Sequence, residues 1–154
     1  MQKTILLFAA VIALIFAASF PATAQAKKNG KDIFGYFYFK GKTEKDFANI
    51  REIHLAGDFG AKEKPPFYGL IRLKAQRAKD FQILKPTGTG KNISFTTTAV
   101  SGVSYKFTGV FTRLDLEQKQ IPEGEVVLKG KLTKLKNGRQ IAEQDASFTY
   151  FPGT

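Results

Sequence analysis

The second half of this chain alternates apolar and polar residues with a period of two, and two-residue turns break the alternation. From Asn92 to Val100, Ile93, Phe95, Thr97 and Ala99 fall on one face. Ser101-Gly102 interrupts the run. Val103 to Leu114 resumes it, with Val103, Tyr105, Phe107 and Phe111 on one side and Lys106, Thr108 and Thr112 on the other. Gly124 to Lys136 sets Val126, Leu128 and Leu132 against Lys129 and Lys131. Asn137-Gly138 follows, and Arg139 to Phe151 carries Ala142, Ala146, Phe148 and Tyr150 on one face. Successive side chains of a strand point to opposite faces, so a period of two buries one side of a sheet and cannot bury one side of a helix. Asn-Gly between two such runs tolerates the positive φ that both central residues of a type I′ turn require. This half is therefore expected to fold as antiparallel hairpins.

The first half reads the same way with weaker punctuation. Asp32 to Phe39 is apolar on both faces, with Phe34, Tyr36 and Tyr38 on one and Ile33, Phe37 and Phe39 on the other. A strand of that kind is covered on both sides or lies at an interface. Asn49 to Asp58 places Ile53 and Leu55 opposite Glu52 and His54. Phe67 to Ala75 alternates as well, and Phe81 to Leu84 is a shorter strand. Thr43 to Asp46 and Lys74 to Asp80 have the composition of short helical turns.

The fold class is thus all-β, with about eight antiparallel strands in one domain. Gly35, Gly69, Gly109 and Gly130 each fall mid-strand on the inward face. Glycine weakens a strand unless it permits a bend or close packing. Four such positions favour a small up-and-down barrel over a β-sandwich. In strand number and export the chain resembles lipocalin-type (calycin) barrels in architecture. The Gly-x-Trp of that family has no counterpart, because the chain contains no Trp.

The N-terminus reads as a leader. Met1-Gln2-Lys3 is followed by an apolar run from Ile5 to Phe20 and by the small-x-small sites Ala22-Thr23-Ala24 and Ala24-Gln25-Ala26. That order marks a secretory signal peptide over residues 1–26, cleaved after Ala24 or Ala26. Residues 27–31 form a polar, flexible start, and 32–154 form the β-domain. The protein is expected outside the cytoplasm, in the periplasm or beyond the cell, with no spanning segment left after cleavage.

Composition restricts the chemistry. There is no Cys, which removes disulfides, thiol nucleophiles and cysteine metal sites. The single histidine, His54, cannot build a His-rich metal site and has no Gly-x-Ser-x-Gly elbow beside it. It alternates with Glu52 on the polar face and reads as a solvated strand residue. Pro86-Thr87-Gly88-Thr89-Gly90-Lys91 lacks the first glycine and the Ser/Thr of a P-loop, and a strand follows it, so it reads as turn punctuation. The sparse carboxylates Asp115, Glu117, Glu123 and Glu125 form no glycosidase pair or calcium loop. The reading is a protein that is not an enzyme and takes no cofactor or metal.

Two binding readings remain. The net charge is +11, supplied mostly by lysine. Lysine is a hydrated point charge suited to diffuse attraction rather than to bidentate reading of nucleic acid. Lys106, Lys129, Lys131, Lys134 and Lys136 are the candidates for holding an anionic surface or polymer. The alternative is carriage of a hydrophobic small molecule among the inward rings Phe95, Tyr105, Phe107, Phe111, Phe148 and Tyr150. An eight-stranded barrel is near the size at which side chains just fill the lumen. A structural envelope component or a motif-poor hydrolase are more distant alternatives. Tyr36, Phe37 and Tyr38 are the candidate contacts for a homodimer.

Overall fold

The computed structural model describes residues 31–59, 65–116 and 120–153. The expected leader and flexible start, residues 1–30, lie outside the described residues. Eight strands follow one another: β1 (Lys31–Phe39), β2 (Ile50–Phe59), β3 (Tyr68–Leu73), β4 (Phe81–Thr89), β5 (Asn92–Thr97), β6 (Val103–Phe111), β7 (Leu128–Lys136) and β8 (Arg139–Phe151). Each pairs antiparallel with the next, and β8 returns to β1, closing an up-and-down barrel. The closed architecture is the one that the mid-strand glycines Gly35, Gly69, Gly109 and Gly130 favoured. Closure leaves no open strand edge. Among the described residues there is no helix, and none long and apolar enough to cross a membrane.

The two hairpin turns have the backbone their sequences call for. Ser101 and Gly102 have φ of 51° and 76°, between the hydrogen-bonded pair Val100 and Val103. Asn137 and Gly138 have φ of 50° and 77°, between Lys136 and Arg139. Both are type I′ connections, whose twist matches that of the flanking strands.

Several boundaries differ from the sequence reading. β4 runs five residues further than Leu84, through a bulge between Leu84 and Thr87, so Pro86 to Thr89 is strand and only Gly90-Lys91 turns. Proline is tolerated at a bulge because no ladder N–H is needed there. Ala99, expected inward, is exposed, because β5 ends at Thr97 and the chain leaves the sheet before the turn. β7 begins at Leu128, so Val126 is not an inward strand residue and lies in the connection, where its carbonyl accepts from Thr112 Oγ1 at 2.9 Å. The two stretches read as helical turns are isolated turns. Phe47 N–H donates to Glu44 O and Ala78 N–H to Ala75 O.

Aromatic rings fill the lumen in three strings. Phe67, Phe95, Phe107, Phe148 and Phe39 follow one another with centroids 4.7–6.3 Å apart. Phe81, Tyr105 and Phe47 form a second string, and Phe111, Phe37 and Tyr150 a third. These spacings lie in the range of favourable aromatic pairs. The inward glycines make room for the rings. A Cβ on Gly109 or Gly130 would come within 2.6 or 2.7 Å of Phe107 Cζ. Phe107 therefore packs directly on the bare backbone of β6 and β7. Gly35 gives Tyr150 the same access, and the Tyr150 hydroxyl donates to Phe34 O at 2.7 Å.

The strands are staggered, which leaves a gap that a loop fills. β8 pairs with β7 along nearly its whole length but with β1 only through Phe148–Phe151. The β1–β2 connection covers the remainder. Glu44 N–H donates to the buried Gln144 Oε1 at 2.8 Å, Lys134 Nζ donates to Asp46 O at 3.0 Å, and Phe47 is fully buried between them. At the other end Phe67, Leu114, Leu116 and Val127 are buried.

Replacing Phe107 by Ala opens a void over the backbone of two strands. Its expected cost is about 3–5 kcal/mol. The same truncation at the exposed Leu84 should change stability by no more than about 0.5 kcal/mol. Urea unfolding of both variants measures the contrast, and equal effects would rule out the ring-filled core.

Candidate functional surfaces

Phe95, Tyr105, Phe107, Phe111 and Phe148 are all buried inside the barrel, and Tyr150 is half-buried against them. The structure thus brings the six sequence-selected rings together, but against one another. Their faces and edges are already occupied by neighbouring rings. Thr97 sits among them with its hydroxyl accepting from Tyr105 N–H at 2.9 Å, and burial pushes the Tyr105 phenol above its ordinary range. Two depressions lined by described residues open to the outside of the barrel. One, of about 270 Å³, is lined by Thr87, Ser94 and Thr108, and another, of about 420 Å³, by Val110, Lys129, Lys131 and Asp145.

The five sequence-selected lysines do not act as one set. Lys131 Nζ is 2.9 Å from Glu143 and 3.6 Å from Asp145. The hydrogen bond to Glu143 holds the Lys131 ammonium above its usual range and the Glu143 carboxyl below its own. Lys134 pairs with Asp46 at 3.2 Å, and Lys136 Nζ donates to Ser101 O at 2.8 Å. Lys106 and Lys129 stand exposed on the wall and form no ion pair with a described residue.

The meander gathers cations from distant parts of the chain at one end. The β1–β2, β3–β4, β5–β6 and β7–β8 connections all emerge at one end of the barrel. That rim carries exposed Lys42, Lys45, Lys74, Arg77, Lys79, Lys136 and Arg139. Its acids are Glu44, Asp46 and Asp80, and two of these are already held, Asp46 by Lys134 and Asp80 by Arg72 at 3.5 Å. At the opposite end, among the described residues, Arg113 is tied to Asp115 at 2.8 Å and Glu125 at 3.4 Å, Glu123 is exposed, and the exposed Lys91 of the β4–β5 turn donates to Thr112 O at 2.6 Å. The loop carboxylates thus balance an arginine. The rim cations were not legible as a group, because Lys74 to Asp80 has the composition of a helical turn and loops carry no periodicity.

The outer wall over β1, β2 and β3 holds a second feature. Glu52 and His54, expected to be solvated, are not. Glu52 is only 1% exposed. Its Oε1 accepts from Arg72 at 3.1 Å, and its Oε2, which accepts no hydrogen bond, lies 3.4 Å from Arg51 Nε. His54 is stacked on Tyr36 with centroids 4.7 Å apart and an angle of 13°, and meets Phe34 edge-on at 5.5 Å. The cause is the doubly apolar β1: its outward rings cover the polar residues of β2 that would otherwise meet water. Burial first, then the Arg72 charge, lowers the His54 pKa against a smaller opposing effect of Glu52. Burial and then the Glu52 carboxylate raise the Tyr38 phenol. Phe37 does not share this wall. It is fully buried in the lumen beside Phe111 and Tyr150, so of the three residues expected at an interface only Tyr36 and Tyr38 face outward.

Among the described residues no group of three His, Asp or Glu side chains converges as a metal site would require. No protein-family model, curated protein or solved structure matches the chain.

The lowered His54 pKa links folding to pH. An unfolded histidine titrates near 6.5. The folded chain takes its proton at lower pH, so the stability contributed by neutral His54 is full above about pH 6.5 and falls as pH drops toward the folded pKa. Thermal melting between pH 7.5 and about pH 5.5 should show Tm falling in the parent and a shallower slope in His54→Gln. Parallel slopes would show that His54 titrates normally.

Proposed function

We propose that this protein is an exported, non-catalytic binding module that holds an anionic surface or polymer of the cell envelope or its surroundings against one rim of its barrel. The carrying observation is the unbalanced rim. All seven of its cations, Lys42, Lys45, Lys74, Arg77, Lys79, Lys136 and Arg139, form no ion pair with a described residue, whereas among the described residues of the opposite end Arg113 is paired and Lys91 is an exposed cation without an ion pair. Point charges spread over three connections make a broad field that attracts a polyanion without shaping a pocket for one group. Lys106 and Lys129 extend that field along the wall. Lys131 and Lys134 contribute less, because neighbouring carboxylates already hold them. The partners in this reading are the anionic surface or polymer and, through Tyr36 and Tyr38, a second copy of the chain.

Carriage of a hydrophobic small molecule has less support. It would require Phe95, Phe107 and Phe148 to separate from contacts that fill the lumen.

Binding to vesicles containing phosphatidylglycerol and to a soluble polyuronate tests the proposal and tells the two anion sources apart. Affinity should fall at least about tenfold between about 50 and 500 mM salt, because exposed charges are screened. The triple variant Lys74→Glu, Arg77→Glu, Lys79→Glu should weaken binding by about tenfold or more at low salt. Lys131→Gln should change it little. Salt-independent binding, or an unaffected triple variant, would contradict the proposal.

A further inference from the structure

The outer wall over β8, β1, β2 and β3 is unlike the rest of the surface. Phe34, Ala56 and Tyr68 stand in register across β1, β2 and β3, and Phe151, Tyr36, His54 and Leu70 form the adjacent row across β8 to β3. Among the described residues six large hydrophobics are exposed. The three that carry rings, Phe34 (49%), Tyr68 (65%) and Phe151 (45%), all lie on this wall, whereas Leu84, Val110 and Ile141 are on other strands. Contiguous apolar patches on monomers are small, and larger ones mark contact sites.

The wall also differs in charge. Its two rows contain no lysine, arginine or carboxylate. On one side the rows are bordered by Glu52, Arg72 and Arg51, which are tied to one another, and on the other Asp32 and Asp58 take the next register position beyond Phe34 and Ala56. The chain as a whole carries +11, so two copies repel wherever lysine meets lysine. This wall is a face on which a second copy can dock without bringing exposed cations together. A polyanion finds no cation in either row. The ring geometry argues against a sugar: Tyr36 and His54 spend their faces on each other and Phe34 meets His54 edge-on, which leaves a ridge of rings rather than a flat platform.

We infer that two copies of the chain associate through this wall in a two-fold symmetric, face-to-face contact, with Phe34, Tyr36, Tyr68 and Phe151 of each copy set against the same residues of the other. The contact is isologous, since one patch serves both copies. This assignment specifies the second-copy partner of the proposed function by naming the face, and it also makes the module bivalent for a polyanion, which multiplies affinity without new contacts.

Sedimentation equilibrium of the chain purified after natural processing of its N-terminus tests the inference. A dimer is expected, and it should tighten as salt rises because screening removes repulsion between like-charged copies. That is the reverse of the expected polyanion response, so the two readings fail separately. Tyr68→Lys and Phe34→Lys should each weaken the dimer by about tenfold or more while leaving the far-ultraviolet circular dichroism of the barrel unchanged. Ile141→Lys, an exposed aliphatic position off the wall, should leave the dimer intact. A monomer at every concentration would overturn the inference. So would a dimer that Tyr68→Lys and Phe34→Lys do not weaken, or a monomer that binds a neutral oligosaccharide through these rings.

Discussion

Phe107 lying on the bare backbone of Gly109 and Gly130 is the contact on which the rest of this barrel depends. A ring can lie that close to two paired strands only where neither carries a Cβ. From there Phe95 and Phe148 pack on Phe107, and Phe67 and Phe39 end the string on either side. Closely packed interiors leave little empty volume. With no disulfide available, this packing has to supply the stability that small exported domains often draw from cross-links.

The outside is divided by topology. In a closed meander, every odd-to-even connection comes out at the same end. Cations distributed over distant parts of the sequence, from Lys42 to Arg139, therefore share one rim. The stagger of the strands adds a second effect. β1 ends early along β8, the β1–β2 connection folds into the gap, and Lys134 is used to hold it through Asp46. One of the lysines with the right position for attracting a partner is thereby committed to closing the barrel.

The sheet was legible because its signals are local. Ser101-Gly102 and Asn137-Gly138 carry their turn geometry in two residues each, and alternation placed Ile93, Phe95, Tyr105, Phe107, Leu128, Leu132 and Phe148 inside, where they are. Phe37 belongs to the same inward set, and its assignment to an interface conflicted with the alternation of β1 itself. The surfaces were less legible because they depend on register between strands. Nothing near Glu52 in the sequence says that Arg72 will sit opposite it or that outward rings of β1 will cover it. Alternation correctly set Glu52 and His54 on the outer face, but outer is not the same as solvated when the neighbouring strand is aromatic on both sides. The long connections gave least: Val126 and Ala99 continue the alternation on paper after the chain has left the sheet.

The most direct test of the central claim is a search for a saturable site in the lumen. Aromatic NMR spectra recorded during titration with a long-chain fatty acid would follow Phe95, Phe107 and Phe148 directly. A lumen packed with rings predicts no saturable shift at these three residues and no contacts between the ligand and their ring protons. Saturable one-to-one shifts with such contacts would mean that the rings part to admit a ligand, and would contradict the account.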